Sequence, residues 1–309
     1  MATEPILGAF DSAVIERGRS LSSSALSDYW ALTKPEVNFL IAITAAAGFW
    51  MGSSAALSHF PWIPLLHTLL GTVLVASGAA TLNQRIELRF DRQMKRTARR
   101  PLASGRIEPP RALWFGVSLS LSGAVYLAVF TNGLASLLAA LTLLGYLFLY
   151  TPLKRITPLC TLIGAVPGAA PPLIGWAAAR GRLDPEAWAL YAIVFLWQFP
   201  HFMAIAWMYR EDYVRAGYLV LPEGDLRERF VALQTLLASL ALIPVGLIPA
   251  ITGASGFIYF AGALTSGLAF FCYSAPFAFR RSNVAARQLL AASIIYLPAV
   301  FGLMMLNKK

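Results

Sequence analysis

The chain has 309 residues, 58% of them hydrophobic and 13% charged, with 25 Lys/Arg against 15 Asp/Glu. A mean hydropathy of +0.63 excludes a water-soluble globular domain. The net charge of +10 sits in the segments between apolar runs, which argues for membrane topology rather than nucleic-acid binding.

Residues 1–36 contain Glu4, Asp11 and Glu16 and no apolar core of signal-peptide length, so neither a signal peptide nor an acid-poor transit peptide is expected. They read as a cytoplasmic arm, flexible through Ser20–Ser27 until Asp28-Tyr29-Trp30 reaches the membrane interface, ahead of a single domain over 37–309. Apolar runs follow at 37–55, 61–83, 112–130, 133–150, 156–178, 186–209, 230–251, 255–278 and 286–306. Each is near the roughly 20 residues that a helix needs to cross a bilayer. Backbone groups cannot stay unpaired in lipid, and the period of two that a barrel strand would show is absent. The expectation is therefore an all-α, polytopic membrane protein of nine spans. Within the fifth span, Pro167-Gly-Ala-Ala-Pro171-Pro172 predicts either a broken helix lining a cavity or simple close packing; within the sixth, Pro200 predicts a bend. Cys160 and Cys272 fall in different spans and read as packing residues, while His59, in an outside loop, and His67, alone in the second span, read as structural.

Cation placement orients the spans. With a cytoplasmic N-terminus, the inner segments carry three Lys/Arg before the first span, nine between the second and third, two at 154–155, four at 210–229 and three at 280–287. Only Arg180, Arg182, Lys308 and Lys309 are left for the other side. The bias predicts an inner, bacterial-type membrane location with the C-terminus outside.

Ionisable groups at membrane depth are costly and suggest function. The second span ends in Asn83-x₃-Glu87-x₃-Asp91, followed by Lys95, Arg96 and Arg100. On a helix, positions four apart drift only about 40°, so the three share a face. Their oxygens suit Mg²⁺, and the cations beyond suit a diphosphate. A solvated, mixed-charge helix end is the plain alternative. The sixth span carries Trp197-Gln198-Phe-Pro200-His201 and ends near Asp212, on the same side of the membrane as the stripe. Gln198 and His201, three apart, would either contact a substrate headgroup or satisfy helix–helix hydrogen bonds. Metal and cations facing one cavity would ease cleavage of an allylic diphosphate, while membrane helices kept water from the carbocation.

Thr33-Lys34-Pro35, the Asn83/Glu87/Asp91 stripe running on through Met94-x-Arg96-Thr97-x₂-Arg100-Pro101-Leu102 and Gly105-Arg106, Trp197-Gln198-x-Pro200-His201-Phe202, and Asp212-Tyr213-x₂-Ala216-Gly217 resemble the haem-farnesylating branch of the UbiA superfamily of intramembrane prenyltransferases. The resemblance implies nine helices around a central cavity and Mg²⁺-dependent transfer of farnesyl from farnesyl diphosphate to a vinyl of haem B, with water added, giving haem O. It implies that Asn83, Glu87, Asp91 and Asp212 serve the metal and diphosphate, that Lys34, Lys95, Arg96 and Arg100 partner the diphosphate or a propionate, and that Gln198 and His201 face the haem. A haem A synthase or a terminal oxidase would take the product. Glu87 stands where the family usually has Asp, Glu36 where it often has Arg, and Ala216 where a further acid is found, with Glu211 as a substitute turned about 100° from Asp212. A quinone precursor or other aromatic acceptor is the near alternative, and a transporter, with its own broken helices, the distant one.

Overall fold

A computed structural model describes residues 25–54, 57–222 and 224–309. Residues 1–24, with most of the Ser-rich stretch expected to be flexible, lie outside the described residues. In chain order the helices are α1 (Pro35–Gly52), α2 (Trp62–Ile86), the single turn α3 (Leu88–Asp91), α4 (Pro109–Phe130) and α5 (Gly133–Leu144). Then come α6 (Cys160–Gly168), α7 (Pro171–Arg180), α8 (Pro185–Met208), the short α9 (Arg210–Arg215), α10 (Asp225–Ile251), α11 (Phe257–Arg280) and α12 (Asn283–Leu306). Beyond its last residue α5 passes through a π-helical turn, Gly145–Tyr150, to Leu153.

Among the described residues, eight helical segments are long and apolar enough to cross a membrane, one fewer than the nine expected. The exception is α1, whose 18 residues begin with Pro35, Glu36 and Asn38. At 1.5 Å per residue it still rises about 27 Å, close to the thickness of a hydrocarbon core. The outward faces are apolar: Leu121, Val125 and Val129 recur every fourth residue along α4 at 61–68% exposure. In water such a stripe would be an aggregation site; against lipid tails it has the right chemistry. The protein is a multi-pass membrane protein.

Lipid supplies no hydrophobic drive between helices, so close backbone approach holds the bundle. Gly48 of α1 faces the backbone of Pro172, and Gly175 of α7 faces the carbonyl of Ala45, so a Cβ at either would fall on main-chain atoms. Gly78 of α2 and Gly116 of α4 also face each other, a Cβ on Gly78 meeting Ser120 Oγ and the Gly116 carbonyl and one on Gly116 meeting the Leu82 side chain. The fifth span is broken, as Pro167–Pro172 predicts: α6 stops at Gly168 and α7 starts at Pro171. By contrast α8 continues through Pro200 without interruption.

The described part of the expected arm is not detached. Residues 25–32 are helical and Leu32 is fully buried. The Leu32 carbonyl accepts from Gln84 Nε2 at 2.9 Å, and Tyr29 packs edge-on against Phe115 with ring centroids 4.9 Å apart. Asn38 Nδ2 then bridges the Thr33 carbonyl (2.9 Å) and Ser77 Oγ (2.7 Å). These bonds fix the chain just before Lys34, which takes a left-handed conformation (φ 53°) and turns into α1.

Candidate active site

The stripe is buried rather than solvated: Asn83, Glu87 and Asp91 are 1%, 6% and 2% exposed. It is not one straight helix. Glu87 closes α2 at φ −87°, ψ 5°, and α3 restarts at Leu88. The register survives because the Glu87 N–H donates to the Asn83 carbonyl and the Asp91 N–H to the Glu87 carbonyl, each at 2.9 Å.

Most polar atoms of the stripe have a partner. Asn83 Oδ1 accepts from Lys34 Nζ at 3.5 Å, and Asn83 Nδ2 donates to Thr151 Oγ1 at 3.1 Å. Thr151 in turn donates to the Tyr146 carbonyl at 2.8 Å, inside the π-helical turn, a distortion that frequently marks functional sites. Glu87 Oε1 pairs with Lys154 Nζ at 2.8 Å, and Asp91 Oδ2 with Arg100 Nη1 at 2.8 Å. Asp91 Oδ1 is buried with no hydrogen-bond partner.

The charges tune one another. Burial, and after it the neighbouring Arg100, bring the Lys34 ammonium down to about 7, although Glu87 pulls the other way. Burial alone would raise Glu87, but Lys154 and then Lys34 outweigh it and hold the carboxyl below its ordinary range. Burial likewise opposes the charge on Lys154, yet Glu87 keeps that ammonium well above the usual lysine value. The Tyr218 hydroxyl lies beside Glu87 short of hydrogen-bond geometry, and burial followed by that carboxylate pushes it up. Lys154 and Arg100 thus pair the two carboxylates, and Lys34, brought down to about 7, is the group that an incoming anion would hold in its charged form.

Asp212 sits at the same end of the bundle but does not join that cluster directly. Its Oδ2 accepts from the Arg96 backbone N–H at 3.1 Å and its Oδ1 from Arg215 Nη1 at 2.9 Å. Partial desolvation works against the charge, while the backbone N–H groups of Arg96 and Lys95 and the Arg215 guanidinium hold the carboxyl low. Together with Lys95, Arg96, Tyr209, Arg210 and Glu211 it lines a cleft of about 460 Å³. Arg96 stacks over the Tyr209 ring, 4.9 Å from its centroid. The two groups share a wall: Met94, Ala216 and Tyr218 pack together between them, with Phe90 against their edge.

Gln198 and His201 are placed by helix–helix contacts. Gln198 Nε2 donates to the Ala165 carbonyl at 3.1 Å and to that of Val194 at 3.2 Å, so its amide hydrogens are spent within the bundle. Its Oε1 occupies the space that a Cβ on Gly168 would need. His201 stacks on Trp197, centroids 4.8 Å apart, and its Nδ1 meets Ser293 Oγ at 2.8 Å. The single Ser293 hydroxyl proton goes to the Leu290 carbonyl at 2.6 Å. Nδ1–H is therefore the donor, and a neutral His201 ring keeps its lone pair on Nε2.

The fit to a metal is one of donor chemistry. Asn83, Glu87 and Asp91 offer hard oxygens, and the orphaned Asp91 Oδ1 is a buried acceptor ready for a cation. Against the expected set Asn83, Glu87, Asp91 and Asp212, no three acidic, histidine or cysteine side chains among the described residues converge as a metal cluster. Each carboxylate is paired with Lys154, Arg100 or Arg215 instead. Lys154, Thr151 and Tyr218 escaped the sequence reading. The one available signal was Tyr150-Thr151-Pro152-Leu153-Lys154, a polar ending on an apolar run.

Comparison with known proteins bears on the family and the fold. Residues 41–297 match the UbiA prenyltransferase family. A protein of Solibacter usitatus named protoheme IX farnesyltransferase is 49% identical over 289 residues, covering 92% of this chain and 99% of its own length. The apo structure of a UbiA homologue from Aeropyrum pernix superposes with a TM-score of 0.68 at 20% identity, over 86% of this chain and 97% of its own. A UbiA homologue from Archaeoglobus fulgidus, bound to GPP and Mg²⁺, superposes with a TM-score of 0.61 at 16% identity, over 90% and 99%. The chain belongs to the UbiA prenyltransferase family.

Proposed function

We propose that the chain transfers the farnesyl group of farnesyl diphosphate to a vinyl group of haem B, with addition of water, giving haem O and diphosphate. One observation carries the reading. A chain 49% identical over 92% of its length to a protein named protoheme IX farnesyltransferase carries a buried acid stripe beside Lys34, Lys154 and Arg100.

Lys34, Lys95, Arg96 and Arg100 would receive the diphosphate, joined by Lys154. Asn83, Glu87, Asp91 and Asp212 would hold Mg²⁺, which when bound supplies positive charge against the leaving group. The metal-bound Archaeoglobus homologue supports a divalent ion here. In the reaction the allylic C–O bond breaks and its electron pair leaves with the diphosphate. The vinyl π electrons then bond to C1 of the farnesyl group, and the cation left on the vinyl carbon takes water and releases a proton. The chain holds cations where the negative charge grows and walls the reacting carbons from bulk water with membrane helices. One such wall is Tyr150, whose ring covers Gly164 and carries Lys154 at 4.5 Å.

Gln198 and His201 would face the haem. With Nδ1–H committed to Ser293, His201 offers Nε2 as an acceptor, which suits an iron ligand better than an ionised propionate. The cation asymmetry supports an inner, bacterial-type membrane, a cytoplasmic N-terminus and a cytoplasmic site. Residues 1–36 would lead into the domain over 37–309, and a haem A synthase or terminal oxidase would receive the product.

The test is turnover by purified protein with farnesyl diphosphate, Mg²⁺ and either haem B or 4-hydroxybenzoate. Haem O should form and chelation should stop diphosphate release. Prenylation of the benzoate in place of haem would favour a quinone-precursor acceptor, and full turnover after chelation would remove the metal assignment.

A further inference from the structure

Arg180, Arg182, Lys308 and Lys309 are the four cations that the positive-inside pattern leaves on the far side of the membrane. They come from two places well over a hundred residues apart, yet all four line one cavity of about 890 Å³. That cavity lies at the end of the bundle opposite the stripe. It takes in Ser53 beyond the end of α1 and Asp184 before the start of α8, whereas Lys34 and Asp212 flank the other ends of those helices. Along α1 the two ends are about 27 Å apart.

Three of the four cations have side-chain partners, while Lys309 is bonded through its backbone N–H to the Ala254 carbonyl. Lys308 Nζ donates to the carbonyls of Trp50 and Ser53, and Arg180 Nε to that of Gly52 at 2.5 Å. Asp184 is shared by Arg182 at 2.8 Å and Arg180 at 4.0 Å. Asp184 and Glu186 are the acidic side chains among the described lining residues, set against four cationic ones. Desolvation, and then Arg180, push the Lys308 ammonium down, as expected where like charges are held together. The apolar part of the wall includes three aromatic side chains, Trp50, Phe60 and Trp176, with Trp50 and Phe60 packed at 4.4 Å between centroids, beside aliphatic ones such as Met305 and Leu306.

We propose that this cavity binds an anionic amphiphile, its acidic group held among Arg180, Arg182, Lys308 and Lys309 and its apolar body laid against Trp50, Phe60 and Trp176. Two sources share that chemistry: the phosphate headgroup of an acidic bilayer lipid, and the propionates of a porphyrin. The site is separate from the diphosphate cluster and does not depend on the acceptor proposed above.

Binding to purified full-length protein in neutral detergent is read by native mass spectrometry, with phosphatidylglycerol, phosphatidylcholine and iron-free protoporphyrin as probes. Arg180→Gln or Lys308→Gln can unfold the protein, because both side chains tie carbonyls at the end of α1. The informative variant is Arg182→Gln with Lys309→Gln, since the Arg182 side chain is 70% exposed and pairs only with Asp184, which keeps Arg180. Loss of two cations should weaken phosphatidylglycerol, protoporphyrin or both by about tenfold, with phosphatidylcholine unchanged and the same melting temperature. A change confined to the lipid identifies a headgroup site, and one confined to the porphyrin a propionate site. Unaltered affinity for both anions, or phosphatidylcholine bound as tightly as phosphatidylglycerol, overturns the proposal.

Discussion

Lys154 decides how the stripe exists at all. A carboxylate as buried as Glu87 survives only with a close counter-charge, and Lys154 at 2.8 Å supplies it. Lys154→Met should therefore cost about 3–5 kcal/mol of stability by stranding Glu87, seen as a lower melting temperature in detergent. Glu87→Gln together with Lys154→Met should recover part of that loss; no recovery would mean that the two side chains are not a coupled pair. At His201 the expected effect is on chemistry. His201→Ala should lower haem transfer while farnesyl diphosphate binds as before, and an equal fall in both would contradict a division of roles between α8 and the stripe. The stripe itself was legible because Asn83, Glu87 and Asp91 repeat every fourth residue. Lys154 was not, because a lysine at the end of an apolar run looks the same whether it marks topology or neutralises an acid on another helix.

Among the elements, the break between α6 and α7 does the most to position the site. Gly168 leaves room for Gln198 Oε1, and Ala165 gives Gln198 Nε2 its carbonyl. Gly168→Ala should push Gln198 off this rotamer and reduce haem transfer with little change in melting temperature, whereas unchanged transfer would detach Gln198 from the acceptor. Gly175→Val is the structural counterpart. Its side chain falls on the Ala45 carbonyl, and overpacking of this kind typically costs about 1–3 kcal/mol. Size-exclusion profiles in detergent should lose the folded peak or shift it. The Pro-rich sequence announced this break, since Pro167 and Pro171–Pro172 cannot continue a regular ladder of hydrogen bonds. It did not announce the π-helical turn at Gly145–Tyr150, because nothing in an apolar run of Tyr, Leu and Phe distinguishes one hydrogen-bond register from the next.

At the scale of the whole molecule, hydropathy and cation count gave the spans, while the convergence of distant loops came only from the fold. The bonds that bring Lys34 to Asn83 join α1 to α2, and those that bring Lys95 and Arg96 to Asp212 join segments more than a hundred residues apart. No local pattern encodes either. The proposed orientation is open to labelling: with Cys160 and Cys272 removed, a membrane-impermeant maleimide should reach a cysteine at His59 in intact cells but not one at Ser104, and the reverse would invert the topology. The central claim, that this buried stripe performs farnesyl transfer to haem, is tested most directly by extracting haem from cells expressing the chain or its Asp91→Asn variant and separating it by chromatography. A haem O peak with the native chain and none with Asp91→Asn, at equal membrane levels, is the expected result. Undiminished haem O in the variant would contradict it.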